Sequence, residues 1–105
     1  MASTNNREVL EGIQQQGVDE SIAYTVNVGA IGSGPGSVSV VVKDTAAGTD
    51  VTATVMPVNV PTVAGDIITL SPLKLLTAGR LYRVEVKYTL DGNVLESYFF
   101  VKARE

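Results

Sequence analysis

The chain has no cysteine, no histidine and no tryptophan. Without cysteine there is no disulfide framework and no thiol chemistry, which fits folding in a reducing compartment. Without histidine the chain lacks the commonest general base, the commonest metal ligand and the near-neutral pH switch together. Positive charge is sparse. Eight Lys and Arg lie scattered against eleven Asp and Glu, a net charge of −3. Nucleic-acid binders carry a basic patch, so no nucleic-acid partner is expected. No apolar run approaches the roughly 20 residues of a membrane-spanning helix, so no membrane partner is expected either. The opening Met-Ala-Ser-Thr-Asn-Asn is polar and predicts no secretory signal. These absences point to an acidic domain made in the cytoplasm. What is present is a core: 45% of the 105 residues are hydrophobic, enough for one domain without covalent staples.

The clearest signal runs from Leu76 to Arg104. Tyr82, Val84, Val86, Tyr88 and Leu90 alternate with Arg83, Glu85, Lys87 and Thr89, the period of a half-buried strand. Asp91-Gly92 follows, and both residue types tolerate positive φ in a hairpin loop. The second arm puts Leu95, Ser97, Phe99, Val101 and Ala103 on one face. A two-residue Asp91-Gly92 loop sets Tyr88 against Leu95, Lys87 against Glu96, Val84 against Phe99 and Tyr82 against Val101. A Gly92-Asn93 loop would oppose Arg83 to Lys102, and like charges directly opposite are unfavourable. The first register is therefore expected.

The remaining chain reads as short strands between turns. Residues 22–28 alternate Ile22, Tyr24, Val26 and Val28 with Ala23, Thr25 and Asn27. Residues 29–36 form a Gly-rich loop. Residues 37–43 are rich in valine, with Val38, Val40 and Val42 on one face and Val41 on the other. Residues 50–56 alternate again and predict a strand. Pro57 and Pro61 make residues 56–61 an edge or a connection, because proline removes ladder donors. Residues 66–70 predict a short strand. Residues 1–19 form an arm. Asn5 and Asn6 could cap a short helix carrying Val9, Leu10 and Ile13 and ending at Gly17. The alternative is an extended first strand. Frequent turns without helical spacers indicate an all-β sandwich over residues 20–105, with no internal repeat.

Little of this carries chemistry. The 29–36 loop lacks the following helix and the Lys-Ser/Thr pair of a phosphate loop. Asp44 and Asp50 flank a turn, but calcium needs several converging oxygens, and turn carboxylates usually bond their own backbone. Ser97 faces inward without a base. Glu85 and Glu96 lie on the outward hairpin face. No catalytic residue, metal ligand or cofactor site is expected, and the chain is read as a non-enzyme.

The run Leu76-x-Ala-Gly-x-x-Tyr82-x-Val84-x-Val86 resembles the strand E to strand F corner of immunoglobulin-like and fibronectin type III domains. The resemblance implies a structural corner of Leu76, Gly79 and Tyr82, with the Tyr82 hydroxyl bonded to backbone near Leu76–Ala78. The bland alternative makes Tyr82 one more inward aromatic. The resemblance implies strand B at residues 22–28, C at 37–43, C′ at 50–56, E at 66–70, F at 80–90 and G at 94–103, with strand A from the arm. Lacking a cysteine pair and a strand-C tryptophan, the chain is not of the antibody type. The stretches Val41-Val-Lys-Asp-Thr-Ala-Ala-Gly-Thr-Asp-Val-Thr52 and Gly65-Asp-Ile-Ile-Thr-Leu70 resemble small single-domain proteins of bacteriophage and prophage structural clusters. That implies a virion structural or accessory protein, whose partners are other virion proteins or copies of itself. The competing class is a stand-alone ligand- or carbohydrate-binding module. Such modules expose several aromatics in loops, whereas these loops are Gly, Ser, Thr and Asp, so a small-molecule ligand is not expected.

One outward feature remains. With Leu95, Phe99 and Val101 inward, Tyr98 and Phe100 must point out, and Leu81 joins them. Two accounts are open. Arg83 and Lys102 stems could shield the rings, or Leu81, Tyr98 and Phe100 could form an interface, because aromatics and Arg are enriched at hot spots. Its cover could be the arm through Val9, Leu10 and Ile13, another copy of the chain, or a virion neighbour.

Overall fold

The computed structural model describes the backbone of residues 8–29 and 34–104, with side chains from Ile13 onward. The elements are β1 (Glu8–Gly17), β2 (Thr25–Asn27), β3 (Gly36–Asp44), β4 (Thr49–Asp50), α1 (Thr52–Val55), β5 (Thr62–Ala64), β6 (Ile67–Thr69), β7 (Leu81–Leu90) and β8 (Asn93–Arg104). They form an all-β structure of two sheets. The large sheet has the order β1-β8-β7-β3-β4 and the small sheet β2-β6-β5. Every pairing is antiparallel except β1 with β8, which is parallel.

The hairpin β7–β8 has the register expected from its charges. Thr89 opposes Val94, Lys87 opposes Glu96 and Tyr82 opposes Val101. Asp91 and Gly92 have φ of 52° and 83°, the two left-handed residues of a type I′ turn, whose twist matches the strands it joins. Alternate residues then fill the core. Val84, Val86, Tyr88, Phe99 and Val101 are fully buried, as are Val42 of β3, Val26 and Ile68 of the small sheet, and Val28 just after β2. Burying each such side chain contributes about 1.5–3 kcal/mol. Tyr24 tilts against Phe99 with ring centroids 5.2 Å apart, joining the two sheets.

Three sequence expectations need correction. Residues 50–56 do not form a strand. Pairing to β3 stops after Thr49–Asp50, and α1 begins two residues later. Asp50 Oδ1 accepts from the Thr52 backbone N–H at 2.9 Å, an Asx turn that bends the chain off the sheet. Thr52 Oγ1 then accepts from Val42 N–H, the donor a continuing strand would have used. One helical turn buries the consecutive Val55 and Met56, which a strand would have placed on opposite faces.

The arm is not helical over the described residues 8–19. Glu8–Gly17 is a strand, the alternative reading, and lies alongside β8 as part of the same sheet. Gly12 lowers the helix drive of the arm, while the β8 edge supplies a ladder. The capping pair Asn5 and Asn6 lies outside the described residues. The strand expected at 22–28 is shorter: β2 covers Thr25–Asn27, and Ile22 makes a separate bridge to Leu73. The connection 56–61 leads to an unexpected short edge strand, β5. Within that connection Asn59 Nδ2 donates to Val40 C=O and Val60 N–H donates to Ser71 Oγ, so side chains close the flank between the sheets.

Candidate functional site

The outward face of the large sheet is built by parity. Residues of β8 with even numbers point away from the core, and the β7 register brings Arg83 opposite Phe100, Glu85 opposite Tyr98 and Leu81 opposite Lys102. Leu81, Tyr98 and Phe100 are each half-buried. The Tyr98 and Phe100 rings meet edge to face at 5.5 Å. The Arg83 guanidinium carbon lies 4.0 Å from the Tyr98 ring centroid. Such a stack at a partly exposed site contributes about 0.5–1 kcal/mol.

Charges on this face pair among themselves. Arg83 Nε lies 2.9 Å from Glu85 Oε2, an ion pair without hydrogen-bond alignment. Lys43 Nζ approaches the other Glu85 oxygen at 3.6 Å. Lys102 does not lie over a ring; its Nζ donates to Gly79 C=O at 2.9 Å. Over the Tyr98 ring the shield is Arg83. The described backbone of the arm, from Glu8 onward, does not cross the face as a lid. It extends it sideways, because the parallel register sets Ile13 beside Phe100. Ile13 is 51% exposed. The side chains of Val9 and Leu10 lie outside the described residues.

At the structural corner, Gly79 takes φ of 84° and Leu76 is buried. The Tyr82 hydroxyl accepts from Thr77 N–H at 2.9 Å, within the Leu76–Ala78 stretch that the corner resemblance implied. The corner fastens the chain between β6 and β7. It has no part in the outward face.

Buried polar groups are used structurally. Ser97 and Tyr88 hydroxyls share a hydrogen bond of 2.7 Å with both residues fully buried. Gln16 is 1% exposed, its amide donating to Leu73 C=O and its carbonyl accepting from Tyr24 Oη. Burial, then the Glu20 charge, raises the Tyr24 phenol. Sequence reading missed Gln16, because nothing in a Gln14-Gln15-Gln16 run marks one member as inward until the β8 register is known. Asp44 accepts from Ala46 N–H and pairs with Arg80 at 2.9 Å. Among the described residues no cluster of acids could hold a metal ion, and 30–33 of the Gly-rich loop lie outside them. An open depression by Gly79 gathers Lys102 and Arg104, both bonded elsewhere, to Gly79 C=O and to the Gln15 side chain.

Comparison with family models, with curated proteins and with solved structures finds no match to the chain.

Proposed function

We propose that the chain is an immunoglobulin-like sandwich serving a phage or prophage particle as a non-enzymatic structural or accessory protein. Its order β8-β7-β3-β4 corresponds to strands G-F-C-C′, and β2-β6-β5 to B-E-D, which supports the immunoglobulin-like reading. The corner at Tyr82 supports it further. The virion assignment rests on the resemblance of the 41–52 and 65–70 stretches to phage structural proteins.

The function is contact between proteins, with other virion proteins or copies of this chain as partners. The observation that carries it is the outward face itself: a Tyr98–Phe100 pair under Arg83, continued by Ile13 and Leu81. Aromatic and arginine anchors dominate protein interfaces, and truncating one typically costs 2 kcal/mol or more, about thirtyfold in affinity.

The test is the double substitution Tyr98→Ser with Phe100→Thr. Partner binding or particle incorporation should fall at least about thirtyfold while the fold persists. Lost stability at unchanged association would assign the rings to packing alone. Genes flanking its own supply a second check: capsid, portal or tail genes support the virion assignment, and a metabolic neighbourhood opposes it.

A further inference from the structure

The charges of the outward face are not spread evenly. Toward the hairpin turn they balance. Glu85 meets Arg83 at 2.9 Å and Lys43 at 3.6 Å, and Lys87 opposes Glu96. Toward the end of β8 they do not. Lys102 has Gln15 and Leu81 as cross-strand neighbours, and Arg104 has Gly17. Among the described residues neither cation forms an ion pair. The acids on adjoining segments are engaged. Asp44 holds Arg80 at 2.9 Å, and Glu20 Oε1 accepts from Gly17 N–H at 2.6 Å.

These two cations line the open depression with Ala78, Gly79 and Ala103. Gly79 serves the corner with its φ of 84° and has a second effect here. A Cβ at Gly79 would meet no atom within 4 Å, so the space above it is open. Each cation is tethered by one donor. Lys102 Nζ donates to Gly79 C=O at 2.9 Å, and Arg104 Nε donates to Gln15 Oε1. An ammonium and a guanidinium each carry further N–H donors, so both heads are held in place with donors to spare. Side chains already held lose less entropy on binding. Apolar groups adjoin the pair. Phe100 precedes Lys102 by two residues on the same face, about 7 Å along the strand. Leu81 lies opposite Lys102, and Ile13 lies beside Phe100.

We propose that this end of β8 is a carboxylate-binding site. Lys102 and Arg104 take an acidic side chain of a protein partner, while Phe100, Leu81 and Ile13 take an apolar residue about 7 Å from it. In an extended partner segment, residues i and i+2 have that spacing. The charge pattern selects a single carboxylate over a polyanion. A chain of phosphates continuing along the face would meet Glu85 beside Tyr98, and then Glu96. This inference rests on the reading of the chain as a protein-contact module and names the chemistry of its partner.

A backbone-amide NMR titration tests it, with acetyl-Leu-Ser-Glu amide as probe and acetyl-Leu-Ser-Gln amide as its neutral match. The acidic probe should shift Gly79, Lys102 and Arg104 and bind about tenfold more tightly than the neutral one, as one charge-assisted contact provides. Raised salt should reduce that preference. Lys102→Gln with Arg104→Gln should remove it with circular dichroism unchanged. No shift from the acidic probe up to its solubility limit overturns the proposal, as does a preference that survives in the folded double variant. Tighter binding of oligothymidylate or inorganic phosphate also overturns it, by assigning the cations to phosphate. So does a gain of about tenfold in Glu105→Gln, which would make the chain's own carboxylate the occupant. Tyr98→Ser with Phe100→Thr should weaken both probes alike and keep the preference. Equal binding of the two probes to the wild-type chain removes the carboxylate site and leaves the contact function standing.

Discussion

Tyr82 and Tyr88 lie on the same buried face of β7, yet their hydroxyls do different work. Tyr82 ties a loop to a strand through Thr77 N–H. Tyr82→Phe should lower stability by about 0.5–1.5 kcal/mol without unfolding the domain, or by up to about 3 if the Thr77 N–H finds no water. Denaturant melts of both proteins read this directly, and an unchanged midpoint would mean the bond contributes nothing. Tyr88 instead shares a hydrogen bond with Ser97 inside the core. Ser97→Ala strands the phenol and should cost about 1–3 kcal/mol. Adding Tyr88→Phe removes the stranded group, so the double variant should regain part of that loss in the same melts. The Tyr82 partner lies where the corner resemblance implied, because the bond is local. The Ser97 partner was not legible. The register set Val86 against Ser97, and the bond runs diagonally to Tyr88, a matter of side-chain reach rather than of pairing.

At the scale of elements, β7 and β8 were readable to within a residue because three signals agreed: alternation, turn chemistry and charge pairing. Residues 50–56 had alternation alone, and local hydrogen bonding overrode it. Asp50 is where that override can be tested. The Thr52 hydroxyl, then the Thr52 backbone N–H, hold its carboxyl below the usual aspartate range. A depressed folded pKa contributes stability above the unfolded value, and that contribution is lost as pH falls through the folded one. Asp50→Ala should therefore destabilise the protein at neutral pH and converge with the parent in acid. Parallel acid titrations followed by circular dichroism check this; a constant gap across the range would assign the role to packing. The arm was hardest to read. A strand that pairs with a segment far along the chain leaves no local trace beyond its apolar residues, and Val9, Leu10 and Ile13 suit a helix stripe equally well.

For the whole molecule, two sheets of unlike size enclose one core, and among the described residues no acidic cluster could hold a metal ion. Melting temperature should be the same in EDTA as in millimolar calcium. A site filled at about 100 times its dissociation constant would add roughly 2.7 kcal/mol and raise that temperature visibly. Such a rise would make the turn between Asp44 and Asp50 the first place to look. The parallel ladder between β1 and β8 has a further consequence, in time rather than in space. About seventy-five residues separate the two strands, and at roughly 5–20 residues per second a ribosome needs about four to fifteen seconds to make them. Throughout that interval β1 has been synthesised and its partner has not. The first described strand to emerge is among the last that can dock, so the nascent chain carries an unpaired Val9-Leu10 segment that a chaperone or a neighbouring nascent chain can reach.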